Sequence, residues 1–160
     1  MAAPPSMPEE NPDVYCPTVG VMEGGAAMQA YSAGRVGDAY ALRNQITLGQ
    51  LARECTGRPD GSTVVRVGVE GRALLGAAGG SGGRFNVPVR IVVKRGDRVI
   101  ATRVRQASVE IPSGDTQGSF ALVEEGIVVP AADSQTFDIE VGLGGAGAAA
   151  AAPGGRRKRG

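Results

Sequence analysis

No histidine and no tryptophan occur among the 160 residues. The first absence removes Ser-His-Asp and Cys-His nucleophile arrangements, histidine-ligated zinc, iron or copper, and the commonest general base near neutral pH. The second, with only three Phe and three Tyr, leaves Val, Ile, Leu and Ala to build a core. Cysteine is sparse: Cys16 and Cys55 stand alone, with no Cys-x-x-Cys pair, too few for an all-cysteine zinc site. Two structural cysteines at this separation read as one disulfide, and so as an oxidising compartment; the plainer alternative is two unrelated buried thiols. No run approaches the roughly 20 apolar residues that span a bilayer as a helix. Residues 1–13, with four prolines and two glutamates, lack the apolar stretch of a signal peptide.

Charge of one sign is also not in excess, since the formal net charge is +1. Four of the 17 basic residues are Arg156, Arg157, Lys158 and Arg159, which leaves 13 against 16 acidic groups in the body. Without aromatic residues interleaved for stacking on bases, that basic tail reads as a solvated end or a contact for anionic lipid, and no nucleic-acid partner is expected. Residues 1–13 read as a disordered leader, and residues 144–160, rich in Gly and Ala, as a disordered tail.

What is present between them is period-2 alternation. Short runs of alternating aliphatic residues occupy about 14–21, 40–55, 62–75, 86–95, 98–111, 119–129 and 136–143, separated by turn formers such as Gly57-Arg58-Pro59-Asp60-Gly61. Residues 24–38 read as a small-residue connection with room for a helical turn near Met28. Seven strands without a convincing helix predict an all-β domain over 14–143. Its expected form is an immunoglobulin-like antiparallel β-sandwich, with a partly closed barrel as the alternative. Antiparallel pairing of the first two strands brings Cys16, which opens one, beside Cys55, which closes the other. An irregularity is expected at Gly126.

Gly96-Asp97 suits a two-residue hairpin turn with glycine first. Symmetrical pairing about it sets Val93 opposite Ile100, Ile91 opposite Thr102 and Val89 opposite Val104. The other face then gathers Arg90 opposite Arg103, with Lys94 and Arg105 on the same surface. This is a candidate interaction surface, or else a solvated face that discourages edge aggregation. The tripeptide Arg95-Gly96-Asp97 is explained by turn chemistry alone. Gly142, Gly144 and Gly147 match G-x-G-x-x-G, but the 13 residues that follow leave no room for the helix and second strand of a dinucleotide site. Glu124 and Glu125, as neighbours on a strand, point to opposite faces and form no catalytic pair.

Several segments carry a resemblance: Asp13-Val14-Tyr15-Cys16-Pro17-Thr18-Val19, Leu42-Arg43-Asn44-Gln45-Ile46, Ala52-Arg53-Glu54-Cys55-Thr56, Val87 through Asp97, and Phe137 through Leu143. Over about residues 13–145 the chain resembles lipoproteins of alphaproteobacterial cell envelopes, a family with no assigned activity. The resemblance implies a periplasm-facing, outer-membrane-associated β-sandwich tethered by an acylated N-terminal cysteine. The residues before Cys16 are not a lipobox, so a lipidated cysteine lay upstream of Ala2 or the chain carries none. The expectation is a non-enzymatic structural or interaction module with a protein partner in the envelope, membrane contact by lipid anchor only, and no cofactor. The alternative is a small-ligand or glycan-binding sandwich whose pocket lies among the glycine loops at 76–83 and 24–38.

Overall fold

A computed structural model describes residues 14–144. Eight strands follow one another: β1 (Val19–Val21), β2 (Ala27–Tyr31), β3 (Leu42–Gly57), β4 (Thr63–Leu75), β5 (Gly83–Arg95), β6 (Arg98–Ile111), β7 (Gln117–Val129) and β8 (Asp138–Leu143). The remaining regular structure is three single turns of 3-10 helix. The strands make two four-stranded sheets, in the orders β1-β8-β5-β6 and β2-β3-β4-β7. The expected β-sandwich is the fold.

Alternation builds the interior. Val65, Val67 and Val69 of β4 point inward with Val87, Val89, Ile91 and Val93 of β5 and Ile139, Val141 and Leu143 of β8, all essentially buried. Burying each such side chain contributes about 1.5–3 kcal/mol, and β-branched residues suit a pleated surface packed on one side. The one phenyl ring of β7, Phe120, lies over Gly71, where a Cβ would sit 2.5 Å from the ring and 2.6 Å from the Thr47 carbonyl. Glycine at 71 is the room into which the phenyl fits.

One end of the sandwich carries the turns at 58–62, 96–97 and 130–137, and the opposite end those at 32–41, 76–82 and 112–116. The N-terminal segment climbs from the first end to the second along the open side between the sheets. Val14 touches Gly57 at the foot of β3. The chain then crosses to the other sheet, where β1 pairs parallel with β8 through Val19–Ile139 and Val21–Val141. Gly25 still accepts from the Leu143 N–H, whereas Ala26 accepts from the Leu48 N–H, so the chain changes sheets between these two residues. It finishes as β2 against β3.

That path corrects three expectations. The first strand spans only Val19–Val21 and pairs with β8 rather than with the next strand. Segment 24–38 holds a true strand, because Met28 is opposite Ile46 and packs against the core; its other positions are small or polar, which hid the period. The hairpin register is shifted by one. Gly96 has φ 58° and Gly96-Asp97 makes the two-residue turn, but Lys94 pairs with Val99 and Val93 with Ala101. Ile100 is the extra residue of a bulge. Gly126, with φ 75°, also sits in a bulge, where Glu125 and Gly126 together oppose Arg66.

Replacing Gly71 with Ala should cost about 1–3 kcal/mol by overpacking, read as a lower urea midpoint with an unchanged β-type circular-dichroism spectrum. A midpoint equal to wild type would mean that Phe120 does not hold the place described.

Candidate functional site

Arg90, Arg103, Arg105 and Lys94 do not share a surface. The Ile100 bulge puts Arg90 opposite Val104, and sets Arg103 and Arg105 opposite the buried Ile91 and Val89. Arg90 and Lys94 are therefore on the outer face, where Lys94 pairs with Glu140 at 3.2 Å. Arg103 and Arg105 sit on the inner side, at the open seam between the edge strands β6 and β7. Both reach Glu124, at 3.4 and 2.5 Å. Arg103 also donates to the Gly126 carbonyl and Arg105 to the Val123 carbonyl.

Glu124 is buried because the bulge at 125–126 reverses the phase of β7. Ile127 and Val129 point inward on one side of the bulge, Phe120, Leu122 and Glu124 on the other. Its neighbour Glu125 points outward, to Arg66. Strict alternation separates the two glutamates correctly, yet it carries no sign of which faces the interior.

A third guanidinium closes the opposite seam. Arg53 lies opposite buried Val67 and donates to the Pro17 carbonyl at 2.9 Å and the Cys16 carbonyl at 3.1 Å. Beside it, Cys16 and Cys55 form a disulfide, with Cα atoms 5.7 Å apart. Tyr15 meets Phe137 edge to face, ring centres 5.3 Å apart. The sulfur pairing expected from sequence is made, though the segment bearing Cys16 is a crossing arm and not a paired strand.

At the end holding the 96–97 turn, Asp133 is nearly enclosed, its side chain 6% exposed. Arg98 donates to it at 2.6 Å and Arg95 at 3.1 Å. These hydrogen bonds, Arg98 first, hold its carboxyl below the ordinary value of 3.8. Asp60 is lowered likewise, by the hydroxyl and then the N–H of Ser62. Arg95 of the Arg-Gly-Asp turn is thus tied into the fold, as is Arg98 across from it. Nothing in the residues around 130–134 beyond a turn signal pointed to Asp133.

Two hollows stand out. One, of about 220 Å³, lies on the outer face of β3-β4-β7 and is lined by Ala52, Gly68 and Val123 beside Arg66 and Glu54. The other, of about 270 Å³, lies beside Val14, Gly57, Ser62 and Gln135. Neither is among the glycine loops at 76–83 and 24–38. The turn at 32–41 instead presents bare apolar side chains: Val36 is 81% and Tyr40 85% exposed. It is nevertheless well built. Arg35 pairs with Asp38, the Asp38 carboxylate accepts from the Tyr40 N–H, and Ser32 donates to the Ala41 carbonyl.

Among the described residues no three of His, Cys, Asp or Glu are grouped to hold a metal ion, and no helix is long and apolar enough to cross a membrane. Arg156, Arg157, Lys158 and Arg159, like the leader at 1–13, lie outside the described residues. Comparison with protein-family models, curated proteins and solved structures finds no match to this chain.

Replacing Glu124 with Ala should destabilise the fold by about 1.5–3 kcal/mol, because two guanidinium groups lose an enclosed acceptor. The same change at Glu125 should stay within about 0.5 kcal/mol. Equal losses at both positions would contradict the bulge-set phase.

Because the Asp133 pKa is lowered by folding, its stabilisation is in force above the ordinary carboxylate pKa and fades as pH falls through the folded value. The gap in urea midpoint between wild type and Asp133→Asn should therefore hold steady from pH 7 to 5 and shrink below about pH 4. A gap as wide at pH 2 as at pH 7 would show that the ion pairs are not its source.

Proposed function

We propose that this chain is an extracytoplasmic, non-enzymatic interaction module of the bacterial envelope, tethered through its N-terminal side by a lipid anchor. Its β-sandwich would act as a rigid support that holds a recognition loop away from the membrane. One observation carries the reading. The described residues begin at Val14, beside Gly57 at one end of the sandwich. The organised turn at 32–41, with Val36 and Tyr40 bare, crowns the other end. A tether at one pole and an apolar tip at the opposite pole is the arrangement a spacer-borne contact module needs. Aromatic and apolar side chains on a rigid support make good anchors, because little conformational freedom is lost when they are covered.

The disulfide supports the compartment, since such bonds persist where thiols are kept oxidised. The resemblance to envelope lipoproteins supports the tether. The distribution of charge supports a contact that is not electrostatic: Arg95, Arg98, Arg103 and Arg105 all engage carboxylates of the fold. The Arg90 and Lys94 flank is the subsidiary contact region on this reading.

The test is affinity capture from envelope membranes with wild-type protein and with the double variant Val36→Ser, Tyr40→Ser. A partner should be retained by wild type and reduced at least tenfold by the variant, at an unchanged urea midpoint. Equal capture by both proteins, or a native chain that fractionates with the cytosol carrying two free thiols, would overturn the proposal.

A further inference from the structure

The β8 edge of the sheet is covered by a segment that is fastened to the domain more than it is embedded in it. β1 is three residues long, and of these only Val19 is partly buried while Gly20 and Val21 are exposed. It runs parallel to its neighbour, whereas every other strand pair in the fold is antiparallel. What keeps the arm in place is concentrated at its root: the Cys16–Cys55 bond, the two Arg53 hydrogen bonds and the Tyr15–Phe137 contact. At its far end, Gly24 (φ 75°) and Gly25 form the turn by which the chain leaves for the other sheet. This is a conformationally permissive pair placed where a hinge would have to be.

Beneath the arm lies a strand competent to pair with another. β8 presents Ile139, Val141 and Leu143 to the core and offers its edge to whichever segment carries the sequence of β1. The Val141 carbonyl takes the Met22 N–H, and the Leu143 N–H donates to Gly25. Most of these bonds are main-chain to main-chain, so they are remade without loss by the same arm of a second copy.

We infer that the β8 edge is a strand-accepting site whose partner is the N-terminal arm of another copy of this chain, and that the Cys16–Cys55 bond closed within one chain keeps the arm at home. The exchange remakes the arm's contacts with β8 and at its root, and gives up the Gly25 N–H bond to the Met22 carbonyl that closes the turn through residues 23–25. Its population is then governed by concentration. An arm on a short linker competes at an effective concentration of about millimolar, so exchange belongs to crowded, still-reduced chains and is frozen once the sulfur bond forms. The inference holds in any compartment and does not rest on the reading above.

The experiment uses the wild-type chain in two isotopic forms. Equal amounts of ¹⁵N-labelled and unlabelled protein are reduced, mixed at about 10 µM and at about 1 mM, bracketing the effective concentration of the arm, and then reoxidised. The compact dimer and monomer fractions are separated and digested, and the peptide pair joined through Cys16 and Cys55 is weighed. In the dimer fraction, half of that peptide should be hybrid, one light partner joined to one heavy, and the dimer should be at least tenfold more abundant in the concentrated sample. Folded protein in which the joined peptides are all-light or all-heavy at both concentrations would overturn the inference, as would dimers linked only Cys16 to Cys16 or Cys55 to Cys55. A mixture of Cys16→Ser with Cys55→Ser gives an independent check, since their only route to a Cys16–Cys55 bond is between chains. Failure to recover that bond from folded, oxidised variants at about 1 mM, where exchange should compete with the home arm, would also count against it.

Discussion

Guanidinium groups that donate to main-chain carbonyls close both open sides of this sandwich, and most of its other features follow from that. Two stacked sheets leave a seam along each flank, where edge strands show unpaired carbonyls and where water reaches the core. On one flank Arg103 and Arg105 of β6 reach the Gly126 and Val123 carbonyls of β7 and share Glu124. On the other, Arg53 of β3 takes the Cys16 and Pro17 carbonyls of the crossing arm. Where such a bond is short and sheltered, as from Arg53 to the Pro17 carbonyl at 2.9 Å, a charged partner is worth about 1.5–3 kcal/mol, above the roughly 0–1 kcal/mol of an exposed ion pair such as Arg84–Glu110. Inward-pointing charges also make a poor template for another chain's strand, which matters for edges of 13 and 14 residues.

The seams in turn permit a core without tryptophan. Aliphatic side chains fill only a thin layer between sheets about 10 Å apart, and a wider gap would need larger residues or would admit water. Phe120 and Phe137 are the two rings in the core cluster, and each is sited where space has been made. Phe120 lies over the bare backbone of Gly71, and Phe137 lies at the foot of β8 under Tyr15. Near the 112–116 turn, β6 and β7 approach so closely that a Cβ at Gly118 would strike the Glu110 carbonyl. The flank is therefore tightest at one end and bridged by arginine toward the other.

How much of this the sequence disclosed depends on the kind of signal. Where alternation was strong, as in Val65-Val67-Val69 or Val87-Val89-Ile91-Val93, strand, face and core membership were all legible. Segment 27–31 was not, because Ala, Gln and Ala around Met28 carry almost no contrast between faces. Bulges limited the rest. One extra residue at Ile100 turned a supposed four-cation surface into two unlike pairs, sending Arg103 and Arg105 inward while Arg90 and Lys94 stayed outside. A bulge adds a residue without adding a letter that distinguishes it, unless glycine marks the place. Gly126 did so, and its irregularity was foreseeable; Ile100 looked like any strand residue. The sulfur pairing was legible for a different reason. Several chain paths bring residues 16 and 55 together, so the outcome survived a wrong path.

The two flanks are closed in ways that differ in permanence. On the β6–β7 side the residues that seal the seam belong to long strands, each bonded along its length to an inner neighbour. Opening it would require tearing a sheet. On the β8 side the seal is an arm that is paired over three residues and fixed at its root by one covalent bond and one arginine. A bond that forms only on oxidation is then the step that makes the second flank as permanent as the first. Until that step the domain has one finished edge and one edge completed by an arm held through hydrogen bonds and packing alone. The disulfide is therefore better understood as fixing which arm completes the fold than as supplying a stability the aliphatic core lacks.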